Sequence, residues 1–163
     1  MVVPRDSKSV GYDNSAHAMI APELLTPCEE YAFTLNPCDE LQCDKSNSVR
    51  RFSDFKSQIR ICLQNLLSPY MKWKFYIELS KAGRLHLHGT VSFNDMESIL
   101  MFFMYSVKKL MASFTYELDT IKDRSVWHTY CTKQERLFGE LNQEIDSKKP
   151  IPIIVGIDSW ASS

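Results

Sequence analysis

The sequence predicts an α+β domain: an antiparallel sheet with helices packed on one face and a polar face turned the other way. Three observations predict it. Four segments alternate apolar and polar residues with a period of two, as half-buried strands do. Two longer segments repeat apolar residues at helical spacing, each with a start or stop signal. The segments run in the order strand, helix, strand, strand, helix, strand.

Residues 1–28 carry Gly, Ser, Asn, Asp and Pro without a period and read as an irregular N-terminal arm. The first strand is Tyr31-Ala-Phe33-Thr34-Leu35-Asn36, ended by Pro37, with Tyr31, Phe33 and Leu35 inward and Thr34 and Asn36 outward. After a polar loop at 38–47, Ser46 or Ser48 can cap a helix whose Phe52, Phe55, Ile59, Cys62, Leu63 and Leu66 form its apolar stripe and which Pro69 stops. Arg50, Arg51, Lys56 and Arg60 are assigned to its solvated face. The second strand, Lys72 to Leu79, turns Trp73, Phe75, Ile77 and Leu79 to the core and Lys72, Lys74, Tyr76 and Glu78 away from it. A turn at Lys81-Ala82-Gly83-Arg84 leads into the third strand, Leu85 to Phe93. Asn94 or Asp95 caps a second helix through Ile99, Phe102, Phe103, Tyr105 and Val107 to about Met111. Ser113 to Leu118 alternates again, and a third helix begins near Ser125 and carries Trp127, Tyr130, Lys133 and Leu137. Residues 139–150 are polar, and Ile151 to Ile157, broken by Pro152, reads as an edge strand. This order is the split βαβ, ferredoxin-like βαββαβ arrangement, with helices on one face and the other left for a site.

Composition narrows the function. At 163 residues the chain fits one domain, and 44% hydrophobic with 24% charged residues is the balance of a soluble globular protein. A net charge of -1 excludes a globally basic nucleic-acid binder, so any polyanion site must be local. Five irregularly spaced cysteines, 28, 38, 43, 62 and 131, argue against a disulfide framework and fit a reducing compartment. Cys28, Cys38 and Cys43 lack the Cys-x-x-Cys spacing and fourth ligand of a zinc site. No secretory leader is expected, the apolar run Ile99 to Val107 is too short to span a bilayer, and no phosphate-binding Gly-rich loop is present.

Chemistry concentrates at Glu78 and His86-Leu87-His88. Two histidines two apart on a strand share a face, and antiparallel pairing of the second and third strands brings Glu78 beside them. Two imidazoles and a carboxylate make a small open metal site, or simply a polar sheet face; these residues alone do not select the metal. Farther on comes Trp127-His128-Thr-Tyr130-Cys131-Thr132-Lys133, where Lys133 lies one helical turn from Tyr130. His128 reads as a surface or DNA-proximal residue.

Three of these segments, in order, resemble the HUH endonuclease domain of replication-initiator (Rep) proteins of single-stranded DNA viruses and rolling-circle plasmids. Phe33-Thr34-Leu35-Asn36 is similar to the family's first motif, His86-Leu87-His88 to its histidine-hydrophobic-histidine motif, and Tyr130-Cys131-Thr132-Lys133 to its Tyr-x-x-Lys motif. Glu78 stands at the offset of the third metal ligand. The resemblance covers residues 31–133 and implies an endonuclease core at 29–138 and a C-terminal segment at 139–163, without the helicase domain of full-length viral Reps. It implies site-specific nicking and joining of single-stranded DNA at an origin stem-loop through a 5′-phosphotyrosine on Tyr130. Lys133 would assist, favouring the phenolate or holding phosphate. Mn²⁺ or Mg²⁺ would sit on Glu78, His86 and His88. Thr34, Asn36, Lys74, Tyr76 and Arg84 would contact the DNA, with Lys72 and Lys81 near the same face. Expected partners are single-stranded DNA, further copies of the chain or a helicase, and no membrane. The expected location is the host nucleus for a eukaryotic virus and otherwise the cytoplasm, not a secreted one.

Three rivals remain at this stage. A non-catalytic single-strand-binding module resembling an RNA-recognition motif would carry aromatics on the open sheet face, where His86, His88, Glu78 and Thr34 stand instead. A related HUH transposase or relaxase shares the layout. A metallohydrolase using water as nucleophile would not need Tyr130.

Overall fold

A computed structural model describes residues 20–44, 46 and 48–148. The architecture is α+β: a five-stranded antiparallel sheet in the order β4-β1-β3-β2-β5, with helices. The strands are β1 (Tyr31–Pro37), β2 (Met71–Leu79), β3 (Leu85–Phe93), β4 (Phe114–Thr120) and β5 (Glu144–Asp146). Alternation does what it predicts: Phe33, Leu35, Phe75, Ile77, Leu85, Leu87 and Leu118 are buried on one face. Helix α1 (Val49–Leu66) lays Phe55, Ile59 and Leu63 onto that core. Each such side chain contributes roughly 1.5–3 kcal/mol by leaving water. Ser48 is its cap, accepting from the Arg51 amide at 3.1 Å.

The second predicted helix is interrupted. Helix α2 (Met96–Met101) passes through a π-helical turn, Phe102–Ser106, into α3 (Val107–Met111). Phe102 packs on Phe93 with centroids 5.7 Å apart, and Ser106 turns inward to donate to the Leu66 carbonyl at 2.6 Å. The wider turn thus lets a polar side chain satisfy the orphan carbonyl of the last residue of α1.

Four expectations need correction. Arg51 is not on a solvated face: it is fully buried, its guanidinium donating to the Gln42 carbonyl and side-chain oxygen at 3.2 Å each. Lys56 likewise donates to the carbonyl of Asn142 at 2.6 Å. The third helix, α4 (Arg124–Cys131), stops before Lys133, which lies in a turn ahead of the short α5 (Glu135–Phe138). And not every helix is on the core face, since α4 lies across the polar face, its Trp127 indole donating to the Gly89 carbonyl at 3.0 Å. The edge strand expected at 151–157 lies outside the described residues. Instead β5, inside the segment expected to be merely polar, pairs with β2 through Lys74–Asp146, Phe75–Ile145 and Tyr76–Glu144. Among the described residues no helix is long and apolar enough to cross a membrane.

Candidate functional site

Register places the site. β2 and β3 pair so that Glu78 faces His86 and Tyr76 faces His88, while β1 and β3 set Thr34 opposite His88. All five side chains therefore rise from one face of three adjacent strands. Glu78 Oε1 lies 2.9 Å from His86 Nε2 and 2.7 Å from His88 Nε2. Among the described residues, Glu78, His86 and His88 are the group that could hold a metal ion, their ligand atoms all within 4.8 Å of one another. Cys28, Cys38 and Cys43 do not converge on such a group.

The electrostatics fit a cation. Burial alone would raise the Glu78 carboxyl, but hydrogen bonds from its neighbours, His86 first and Lys133 with it, outweigh it and hold the group well below the ordinary carboxylate range. Burial pushes His88 down, toward the neutral imidazole. Thr34 Oγ1 is 3.1 Å from His88 Nδ1. A Nδ1–H donated to that hydroxyl leaves the Nε2 lone pair facing the cluster, the tautomer that ligation needs. His88 Nε2 is buried, and although it lies close to Glu78 no well-aligned hydrogen bond satisfies it. A lone pair facing an ionised carboxylate is repulsive unless a cation or proton lies between them. The donor set of one carboxylate and two imidazoles thus fits a divalent ion, with positions left for water or substrate.

Helix α4 brings the second half. Asp123 caps it by accepting from Val126 N at 3.1 Å. Tyr130 reaches the His88 ring at 4.9 Å between centroids and stacks on Trp127 at 5.5 Å and 18°. It is 43% exposed, enough to be reached from solution. Lys133 Nζ sits 2.7 Å from Glu78 Oε2 and 3.9 Å from the Tyr130 ring centroid. Burial raises the Tyr130 phenol above its usual value, and the Lys133 ammonium pulls it only part of the way back.

The other expected residues divide. Thr34 is in the site. Tyr76 is on the same face but engaged by His128, ring against ring at 5.9 Å, and burial beside Glu144 pushes its phenol up to about 12. Lys74 is half-exposed, 3.9 Å from Glu144. Asn36 is exposed at the end of its strand. Arg84 is paired with Asp39 and donates to the Pro37 carbonyl at 2.8 Å. Lys72 and Lys81 are exposed. Sequence reasoning assigned no role to Trp127, although its spacing of three from Tyr130 signals a shared helix face. It also missed Gln134 and Gln143, which carry no periodic signal. Comparison with protein-family models and with curated proteins found no match.

Proposed function

We propose that this chain is a ferredoxin-like, Rep-type HUH endonuclease domain that nicks and rejoins single-stranded DNA at an origin stem-loop. One observation carries the reading: Lys133 bridges an exposed tyrosine and the carboxylate of a two-histidine, one-carboxylate cluster. A water-using hydrolase has no need of that tyrosine. The strand order β4-β1-β3-β2, with α1 between β1 and β2 and α2–α3 between β3 and β4, supports the ferredoxin-like assignment; β5 is an addition at its edge.

The chain's own groups would act as follows. Glu78, His86 and His88 would hold Mn²⁺ or Mg²⁺, which supplies charge stabilisation at the scissile phosphate when bound. Thr34 Oγ1 holds the orientation of the His88 ring through Nδ1. Trp127 holds the Tyr130 ring by stacking and screens one side of it from water. Tyr130 Oη gives up its proton as it attacks phosphorus, the bond to the 3′-oxygen breaks, and that oxygen takes up a proton to leave as the 3′-hydroxyl, so protons as well as phosphodiester bonds balance. One phosphodiester has replaced another, so the reverse attack joins ends. Because burial disfavours the phenolate, Lys133 is the group that stabilises developing charge on the Tyr130 oxygen. Lys74, Tyr76 and Asn36 border the face where a splayed strand would lie.

The test is a denaturing gel of the protein with a labelled single-stranded stem-loop and Mn²⁺. A detergent-resistant adduct, lost in Tyr130→Phe and His88→Ala, supports the reading. Cleavage that survives Tyr130→Phe points to water as nucleophile. Trp127, Tyr130 and Tyr76 also give the face aromatic surfaces, which favours the binding-module alternative: a native-gel shift with neither cleavage nor adduct would adopt it. In the Rep reading the domain works in a host nucleus or bacterial cytoplasm, alongside further copies or a helicase.

A further inference from the structure

The edge of β2 that carries Glu78 is closed by side chains as well as by β5. Beyond Glu144 the neighbouring strand ends, yet the β2 peptides on either side of Glu78 stay paired. Ile77 N donates to the Gln143 carbonyl at 2.9 Å, and the Gln143 side-chain amide donates to the Ile77 carbonyl at 3.0 Å. Two residues on, Leu79 N donates to Gln134 Oε1 at 2.7 Å and Gln134 Nε2 donates to the Leu79 carbonyl at 2.8 Å. The primary amide of Gln134 therefore imitates the peptide of a missing strand, with both bonds in place. Gln134 directly follows Lys133, and Gln143 also reaches the Cys131 carbonyl at the end of α4, at 3.5 Å.

We propose that Gln134 is a positioning residue: its two bonds to the Leu79 peptide fix the turn after α4 on the strand of Glu78, and so set Lys133 and Tyr130 against the metal cluster. Helix α4 needs such an anchor. It has eight residues and buries only Cys131. The Trp127 indole ties the middle of the helix to β3; at its C-terminal end the Gln134 bonds to Leu79, with Gln143 at the Cys131 carbonyl, set its distance from β2. Glu78, His86 and His88 are held by the β2–β3 ladder and do not depend on it. The inference deepens the nicking reading and rests on it for its catalytic half alone.

The test compares wild type with Gln134→Leu, which keeps the bulk and removes both bonds. Ser106→Ala, which loses a buried hydrogen bond on the opposite side of the sheet, controls for general destabilisation. Three quantities are read: the single-turnover rate of adduct formation at saturating oligonucleotide, the affinity for Mn²⁺, and the NMR indole N–H resonance of Trp127. Gln134→Leu is expected to slow adduct formation about tenfold or more, as a displaced reacting group does, with Mn²⁺ affinity within about threefold. The Trp127 resonance should broaden or shift. An unchanged rate, a parallel loss of Mn²⁺ affinity, or an equal slowing in Ser106→Ala would overturn the proposal. Should wild type form no adduct, the nicking reading fails while the clamp is still decided by Trp127: a shifted resonance in Gln134→Leu alone upholds it, and an unchanged one removes it.

Discussion

Replacing Gly89 by alanine tests the geometry of the sheet on which Glu78, His86 and His88 stand. A Cβ at this position would lie 1.9 Å from the Lys74 carbonyl oxygen and 2.8 Å from both the Lys74 carbonyl carbon and Phe75 Cα. An ordinary contact needs more than about 3 Å, so β2 and β3 must separate by about 1 Å or surrender ladder bonds. No flexible side chain is available to yield; the obstacle is backbone in the middle of the sheet. Overpacking of this kind costs roughly 1–3 kcal/mol. One or two lost ladder bonds add about 0.5–1.5 kcal/mol each. The sum, roughly 2–6 kcal/mol, is a large part of the stability of an ordinary domain. At about 2–4 °C per kcal/mol for this chain length, the melting temperature should fall by roughly 4–24 °C. Gly89 lies between His88 and Thr90 and its carbonyl accepts the Trp127 indole, so Mn²⁺ affinity should fall with it. Urea and thermal unfolding by circular dichroism measure the first effect, and calorimetry the second. A Gly89→Ala protein within 1 kcal/mol (a threshold of about the usual mutational noise) of wild type would refute the close approach and with it the tightness of the β2–β3 pairing.

Arg51→Met removes the guanidinium from the buried Gln42 carbonyl and leaves Gln42 Oε1 with Leu85 N alone, and should cost about 3 kcal/mol by urea denaturation. Asp123→Ala removes the α4 cap and should cost about 1 kcal/mol; a value near zero would mean that the helix start is already frayed. Mn²⁺ at about a hundred times its Kd should stabilise the chain by about 2.7 kcal/mol and raise its melting temperature, an effect absent in His88→Ala. In chelator-treated protein, His88 and Glu78 are both depressed in the folded state. Their contributions are full above the unfolded values, about 6.5 and 4.3, and are lost as pH falls through the folded ones. The urea midpoint should therefore decline steadily below about pH 6.5, and His88→Gln should flatten the upper part of that decline; a flat wild-type profile from pH 7 to about 4 would contradict the burial of His88.

The strands and the convergence of Glu78, His86 and His88 were legible because strand alternation leaves little choice. Once β2 and β3 pair antiparallel, residues 78, 86 and 88 share a face whatever surrounds them. Arg51 shows where residue type misled. Arg51, Phe55, Ile59 and Leu63 recur every four residues and all are buried on α1, so periodicity placed Arg51 inward while its charge argued outward. The buried position wins because Gln42 supplies two acceptors. The break after Cys131 was hidden because no Gly or Pro marks it; Thr132 leaves helical geometry at φ -100° and ψ 11°. β5 is three residues long, too short for any period to register, and the Gln134 clamp is a side chain imitating backbone, for which pattern reading has no symbol. The proximity of Tyr130 to His88 depends on how α4 crosses the sheet, a tertiary fact beyond the reach of local spacing.

The Arg51–Gln42 pair also bears on how the molecule comes apart. Gln42 accepts from Leu85 N at 2.7 Å and donates to the carbonyls of Leu85 at 2.9 Å and Pro37 at 3.3 Å, while Arg51 reaches it from α1. The end of β1, the start of β3, the intervening loop and the first turn of α1 thus share two buried side chains. None of the four can open alone without stranding a charge or an amide in the interior. Slow-exchanging amides at Leu85, Gln42 and Arg51 should consequently exchange with one common opening free energy, as a single cooperative unit that joins helix to sheet.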